Sequence, residues 1–237
     1  LLLSLVCLPG AAQTVTFPCE PSLAVETALQ KDSPETPRET RTAELRSLLQ
    51  QYPEDLFLHR RYQGQLVGYE AARSEYQALL DKHPDDPRYL YLYGRMLIGK
   101  QTPEALAHIH KAVERAPDFA WAHLALAEIY NYPNFRDDKK LETHLEAFMR
   151  LCPSSLAGFS YLRRVENPEL LKRSAEKLRA LLGSRTDAAS LAQHRTLWDL
   201  EFRVTPMPEH AAVRQRVAED LKWLRQADPS KGPALLY

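Results

Sequence analysis

The sequence has little of what several classes of protein require. Only 8 of its 237 residues are glycine, and runs of β-branched residues are few, which argues against a β-sandwich or barrel. Its 31 Lys and Arg residues are matched by 31 Asp and Glu residues, so the chain lacks the basic excess that is typical of a nucleic-acid binder. The composition indicates a folded helical protein, and we expect no nucleic-acid partner.

Sequence signatures of catalysis and metal binding are absent as well. The chain contains no Cys-x-x-Cys, no His-Glu-x-x-His, no Gly-rich phosphate loop and no Gly-x-Ser-x-Gly elbow. His108 and His110 are two residues apart, which places them on different faces of a helix rather than in a ready pair of metal ligands. We therefore predict no catalytic residue, no metal site and no cofactor, and we do not expect this chain by itself to be an enzyme.

Structural roles account for the other candidate polar groups. Four histidines are interpreted as partly exposed helix residues: His83, His123, His144 and His194. The pairs Asp85-Asp86 and Asp137-Asp138 stand at predicted helix entries, where a carboxylate caps free backbone N–H groups.

One apolar run is found at the start of the chain, and it is too short to span a membrane. Leu1–Leu8 falls well below the roughly 20 apolar residues that a spanning helix needs, and no later segment reaches that length. Small residues at Gly10 and Ala12 fit a signal-peptidase site directly after Ala12. We therefore predict that residues 1–12 are a signal peptide, truncated at its start because an initiator Met and basic residues are missing, and that the protein is exported, either periplasmic or secreted. The alternatives are a buried strand or helix and a lipoprotein anchored through Cys7.

Cysteine is scarce, and the sequence leaves its state open. Cleavage of the signal peptide would remove Cys7 and leave Cys19 and Cys152. In an oxidising compartment these two residues could pair in a disulfide, and otherwise they would remain two free thiols.

The pattern of proline and apolar residues separates two regions of the chain. Residues 13–39 contain four prolines among scattered polar residues, which predicts a Pro-rich linker with one short turn of helix near 23–30. From Glu39 onward apolar residues recur at spacings of three and four, the period of an α-helix. The pattern predicts an all-α protein with helices near 40–51, 55–67, 69–82, 87–99, 103–116, 119–131, 138–151, 155–165, 168–182, 187–204 and 208–227.

Four prolines divide the helical region at nearly regular intervals. Pro53, Pro84, Pro117 and Pro153 each follow one predicted helix and precede the next, at separations of 31, 33 and 36 residues. A period near 34 residues that contains two helices is the mark of a helical solenoid. Because one helix pair is too thin to bury its own apolar face, we expect neighbouring pairs to stack and share a core.

These repeats resemble the tetratricopeptide repeat (TPR), a 34-residue helix–turn–helix unit. The clearest copy runs from Asp86 to Phe119, with small residues where two helices approach and a bulky residue beside them. The residues that match the packing positions of the repeat are Ala72, Tyr76, Pro84, Leu92, Ala105, Ile109, Ala112, Pro117, Leu126 and Pro153. The resemblance implies an α-α superhelix, a TPR-like solenoid of about five to six helical hairpins. In this arrangement residues 40–153 are TPR-like repeats and residues 154–237 continue the stack as degenerate helical hairpins.

The resemblance also implies a binding surface, because the first helix of each TPR hairpin lines the concave side of the stack. The groove residues expected on this analogy are Phe57, Arg61, Leu90, Gly94, Leu97, Trp121, Leu124 and Glu128. TPR proteins that clamp a terminal carboxylate carry Lys, Arg and Asn at slots that here hold Phe57, Leu90 and Leu124. The expected partner is therefore an apolar or helical peptide. The alternative is that several of these residues are core between stacked hairpins.

Two functions remain open from the sequence. The first is a protein–protein interaction scaffold or adaptor that holds a peptide or partner segment in this groove. The second is the front part of a larger exported enzyme, because the chain is similar to helical-repeat regions that precede thioredoxin-like thiol–disulfide domains in some exported bacterial proteins. With no Cys-x-x-Cys present, that activity would reside beyond Tyr237. A hydrolase within residues 187–237 has no supporting motif.

Overall fold

The computed structural model describes residues 17–30, 36–66, 68–183 and 188–227, which form helices joined by short connections. No β-strand occurs in these ranges, so the all-α prediction is confirmed. None of the helices described is long and apolar enough to cross a membrane. The predicted signal peptide, residues 1–12, lies outside the described residues.

The α-helices follow one another along the chain. Their bounds are α1 Leu23–Gln30, α2 Arg38–Gln51, α3 Leu56–Gln65, α4 Tyr69–Lys82, α5 Pro87–Leu97, α6 Thr102–Arg115, α7 Ala120–Tyr130, α8 Asp138–Leu151, α9 Pro168–Leu182, α10 Ala188–Val204 and α11 His210–Ala227. Within the described ranges, 3-10 helices are found at Pro133–Phe135, Ala157–Arg164 and Met207–Glu209. Every helix predicted from Glu39 onward, apart from 155–165, is confirmed as an α-helix with bounds that differ by at most two residues.

The predicted helix at 155–165 is instead the 3-10 segment Ala157–Arg164. Apolar spacings of three and four residues are compatible with either helix type, so the pattern did not separate them. Gly158 lets this segment lie close against α8, because a Cβ added there would be 2.8 Å from Phe148 Cδ1.

Side chains that precede the helices fix several of their first turns. Asp55, Asp86 and Asp137 each accept a hydrogen bond from a backbone N–H of the following helix. Pro87 then occupies the first position of α5, where its missing N–H has no intrahelical partner to lose. The predicted capping roles of Asp86 and Asp137 are therefore confirmed.

Consecutive helices pack against each other through the middle of the chain. Each helix from α4 to α7 packs against the next one, and α9 packs against α10. The non-proline residues that the repeat pattern assigned to packing are all buried: Ala72, Tyr76, Leu92, Ala105, Ile109, Ala112 and Leu126. Pro84, Pro117 and Pro153 lie in the turns between one helix and the next.

One local contact recurs along the stack. His59 Nε2 lies 2.9 Å from Pro53 O, and His123 Nε2 lies 3.0 Å from Pro117 O. In both cases the histidine follows the proline by six residues, and 64 residues separate the two sites. The separation equals the distance in sequence from Pro53 to Pro117, which are two repeats apart. The contact between histidine and proline therefore recurs with the period of the prolines.

The last three α-helices are joined by a polar network. Arg179 on α9 donates from Nε to Glu201 Oε1 on α10 at 2.6 Å and pairs with Asp220 on α11 at 3.2 Å. Trp198 Nε1–H donates to Asp220 Oδ2 at 2.9 Å. Trp198 and Leu224 also form a small apolar cluster. The attachment of α11 therefore combines a charged network with a limited apolar contact.

The first described residues are fastened to the middle of the chain. Cys19 and Cys152 form a disulfide with their Cα atoms 5.4 Å apart, across a sequence separation of 133 residues. Phe17 stacks on Phe119, with 3.9 Å between the ring centroids. Of the two states that the sequence left open for these cysteines, the structure contains the disulfide.

Candidate functional site

The predicted groove residues differ widely in exposure. Arg61 is exposed, whereas Phe57 and Glu128 are partly exposed. Trp121 and Leu124 are buried, with 5% and 6% of their surface exposed, so the prediction that they line an open groove needs correction. Residues on α3 and α7 therefore reach a surface, although only part of each aromatic side chain is accessible there.

The three residues predicted on α5 do not line an open surface, and this part of the prediction needs correction. Leu90 and Leu97 are 1% and 0% exposed. Gly94 lies so close to α6 that an added Cβ would be 2.7 Å from Ile109 Cγ1. All three residues belong to the core, which is the alternative that the sequence left open.

The predicted α5 residues are also out of register with those on α7. Leu124 and Glu128 lie seven and eleven residues after the proline that precedes α7. On α5 the same two positions hold Tyr91 and Arg95, whereas Leu90 lies only six residues after the proline. Tyr91 is itself 2% exposed, so of these two α5 positions only Arg95 reaches the surface.

Arg60, rather than the predicted Arg61, is the α3 arginine at the seventh position after its proline. Its guanidinium lies over the Trp121 ring, with 3.7 Å between Cζ and the ring centroid, in a cation–π contact. Burial, reinforced by the nearby Arg95, lowers the pKa of Arg60. Its Nε is buried without a hydrogen-bond partner, and within the described residues Arg60 forms no ion pair.

Polar side chains from other elements surround Arg60. Arg95 donates from Nη1 to Gln63 Oε1. Tyr161 OH, in the 3-10 segment, donates to Glu128 Oε2 at 3.2 Å. Burial raises the pKa of Tyr161, so its hydroxyl remains a donor at neutral pH. The carboxylate of Glu128 is therefore already engaged by a neutral donor.

We call this surface the Trp121 face. Its residues come from α3, α5, α7 and the 3-10 segment and are Phe57, Arg60, Arg95, Trp121, Glu128 and Tyr161; Tyr91 lies near Arg60 but is buried in the core. The face contains the guanidinium groups of Arg60 and Arg95 and the carboxylate of Glu128, so it has a net charge of one positive unit. Such an arrangement can bind an anionic group that lies beside an aromatic or aliphatic side chain.

The N-terminal segment borders the Trp121 face. Trp121 Nε1–H donates to Pro18 O at 3.1 Å, while the ring of Phe17 covers Phe119. The disulfide of Cys19 holds this segment in place. The sequence did not predict these contacts. The presence of Cys19 and Cys152 was the one indication that this segment could be attached, and their separation in the sequence does not show whether they pair.

Three histidines meet where α6, α7 and α8 pack together. His123 Nδ1 lies 2.9 Å from His144 Nδ1, and His110 Nε2 lies 2.8 Å from Tyr130 OH. The rings of Tyr130 and His144 are stacked, with 5.9 Å between their centroids. Burial lowers the pKa of all three histidines, that of His144 to about 4.

Two of the histidine interpretations need correction. His123 and His194 are 8% and 3% exposed, so they are core residues rather than partly exposed ones. His108 and His110 have different partners, as expected from their spacing, because the His108 ring packs edge-on against Tyr93. In the ranges that the structure describes, no group of three or more His, Cys, Asp or Glu side chains is arranged to hold a metal ion.

Comparison with models of known protein families finds no match for this chain, and comparison with curated proteins finds none either.

Proposed function

We propose that this chain is a protein–protein interaction scaffold that binds a polypeptide segment on the Trp121 face. In this proposal the helices form a TPR-like superhelix with the Trp121 face on its inner side. Support comes from the packing of consecutive helices, from the regular turn prolines and from the His–Pro contact that recurs after 64 residues. A surface shared by three non-consecutive helices offers a long contact area to an extended or helical segment.

One observation carries this proposal: the Arg60 guanidinium is stacked on Trp121 and forms no ion pair among the described residues, although the Glu128 carboxylate acts on it from a distance. A cation that is withdrawn from water is costly unless acceptors satisfy it. A carboxylate of a bound segment would supply those acceptors, and arginine binds carboxylates through two parallel hydrogen bonds. A single uncompensated positive charge suits one carboxylate better than a doubly charged group.

The Trp121 face also suggests what lies next to that carboxylate. Phe57 and Trp121 meet edge to face at 5.6 Å, and Tyr91 lies nearby. Of these rings Phe57 is partly exposed, and it offers a contact to an aromatic or aliphatic side chain. We therefore propose a partner segment with an Asp, a Glu or a terminal carboxylate beside such a residue. This partner differs from the apolar or helical peptide expected from the sequence, because that expectation did not include Arg60 in the groove.

Export of the protein is part of the proposal. The Cys19–Cys152 disulfide supports it, because disulfides form and persist mainly in oxidising compartments. The alternative function, a helical region that precedes a thioredoxin-like domain, stays a prediction from the sequence.

Peptide selection tests the binding function and its preference for acidic residues. The full chain, with its disulfide intact, is presented with a displayed library of random dodecapeptides, and enriched peptides are measured by fluorescence anisotropy. We expect the enriched peptides to share one acidic residue next to an aromatic or aliphatic one. Arg60→Gln should weaken their binding about ten- to a hundredfold, because hydrogen bonds to a charged group contribute about 1.5–3 kcal/mol.

The adjacent Arg61 provides the matched control. It is exposed, and Arg61→Gln is expected to change the affinity less than about twofold. Circular dichroism on both variants checks that they remain helical. The proposal is wrong if no peptide is enriched, or if both variants lose the same affinity.

A further inference from the structure

His123 and His144 face each other through the same ring nitrogen. Pro117 O lies 3.0 Å from His123 Nε2, and because a carbonyl oxygen only accepts, this nitrogen carries the proton. The Nδ1 atom of a neutral His123 is then an acceptor. His144 Nδ1, 2.9 Å away, must be the donor. The neutral pair therefore has one defined combination of tautomers, in which His144 donates to His123.

This pair can take up one further proton without losing its contact, but not two. A first proton binds His144 Nε2 and leaves the hydrogen bond between the two Nδ1 atoms in place. A second proton would have to bind His123 Nδ1, which would set two N–H donors against each other at the same contact. The rings would then have to separate.

The surroundings of the pair oppose even the first proton. The titratable and charged groups near it are His110 and Glu114 on α6, Tyr130 on α7, and Lys140 and Arg150 on α8. Burial, followed by the effects of His123, His110 and Lys140, lowers the pKa of His144 from 6.5 to about 4. The Glu114 carboxylate raises the pKa of His110, but it is not among the groups that change the pKa of His144.

We propose that the His123–His144 pair is an acid-sensitive joint between α7 and α8, which stays closed while a single N–H lies between the two Nδ1 atoms and opens when a second added proton places an N–H on both. Helix α7 also carries Trp121 and Glu128, and α8 ends beside Cys152. Opening of the joint therefore loosens the Trp121 face in acid. The consequence for a bound segment rests on the proposed function, whereas the joint itself is tested without any ligand.

The direction of the pH effect follows from the lowered pKa values. In the unfolded chain a histidine titrates near 6.5, whereas His144 titrates near 4 in the folded chain, so the unfolded state binds more protons between these values. The stability that the neutral ring contributes is complete above about pH 6.5. It is lost as the pH falls from about 6.5 towards 4.

Long-range proton–nitrogen NMR spectra of the oxidised full chain test the joint directly. At neutral pH we expect His144 to be protonated at Nδ1 and His123 at Nε2, and we expect the His144 signals to remain those of a neutral ring at about pH 5.5. Finding both rings in the Nε2–H form, or a His144 ring that titrates near 6.5, would overturn the proposal.

A second measurement uses the pH dependence of urea unfolding between about pH 7.5 and 5, which reports the number of protons taken up on unfolding. His144→Gln should take up about one proton fewer than the parent chain. An unchanged uptake in His144→Gln would contradict the proposal, and if that variant does not fold, the NMR result on the parent chain decides.

Discussion

At the scale of single residues, Gly94 and Gly64 differ in the space that is available for a side chain. Gly94 lies where α5 comes closest to α6, and a Cβ added there would be 2.7 Å from Ile109 Cγ1 and 3.2 Å from Ala105 O. Gly64 on α3 has no atom within 4 Å of the same added Cβ. The first glycine therefore permits a close approach of two helices, whereas the second only lowers helix propensity.

The same substitution should change stability in opposite directions at these two positions. Gly94→Ala is expected to lower the free energy of unfolding by about 1–3 kcal/mol, because Ile109 and the α6 backbone must move. Gly64→Ala is expected to raise it by at most about 0.5–1 kcal/mol, the gain in a helix interior, because Gly64 is the last but one residue of α3. Urea unfolding at neutral pH measures both. An increase in the free energy of unfolding for both variants would show that α5 and α6 leave room for a Cβ at position 94.

At the scale of elements, α11 depends on charges that it shares with α9 and α10. Glu201 is buried, accepts a hydrogen bond from Arg179 and lies 3.7 Å from Arg216 of α11. The apolar contact between α10 and α11 is small, so the polar network contributes much of the attachment.

Neutralising this carboxylate should loosen α11 selectively. Glu201→Gln is expected to lower the free energy of unfolding by about 1–3 kcal/mol, the contribution of hydrogen bonds to a charged group. Amide hydrogen exchange should become faster in α11, while α5 and α6 keep their protection. The exposed Glu219 on α11 provides a control, since Glu219→Gln should change the free energy of unfolding by no more than about 0.5 kcal/mol. Uniformly faster exchange along the chain would refute a local role.

At the scale of the whole molecule, the disulfide closes a loop across 133 residues of sequence. A cross-link of this length restricts the unfolded chain strongly, and the chain-entropy model gives about 4–5 kcal/mol for it. The disulfide also holds the segment whose Pro18 carbonyl accepts the Trp121 N–H.

Removing the disulfide should therefore lower global stability. Cys152→Ser is expected to lose about 4–5 kcal/mol of unfolding free energy relative to the oxidised parent chain. A thiol reductant should lower the stability of the parent chain and leave that of the variant unchanged. Peptide mapping by mass spectrometry without reduction checks that Cys19 is joined to Cys152. A parent chain that is indifferent to reductant would contradict the cross-link.

The sequence by itself determined the helical architecture and nearly all helix bounds, because the information for these is local. The apolar period of three and four residues, the capping carboxylates of Asp86 and Asp137, and the spacing of the prolines all act within one or two turns of chain. The burial of Ala105, Ile109 and Ala112 likewise matches the positions that the repeat pattern assigned to packing.

Only the tertiary structure decided which side of each helix meets which neighbour. Arg60 and Arg61 are indistinguishable by type, yet Arg60 lies over the Trp121 ring whereas Arg61 is exposed. Since adjacent residues of a helix point about 100° apart, rotation about the helix axis selects between them, and that rotation is fixed by packing against helices far away in sequence. The Cys19–Cys152 disulfide and the contact of His123 with His144 join residues that are 133 and 21 positions apart in the sequence. A pattern within one helix does not predict contacts between residues so far apart.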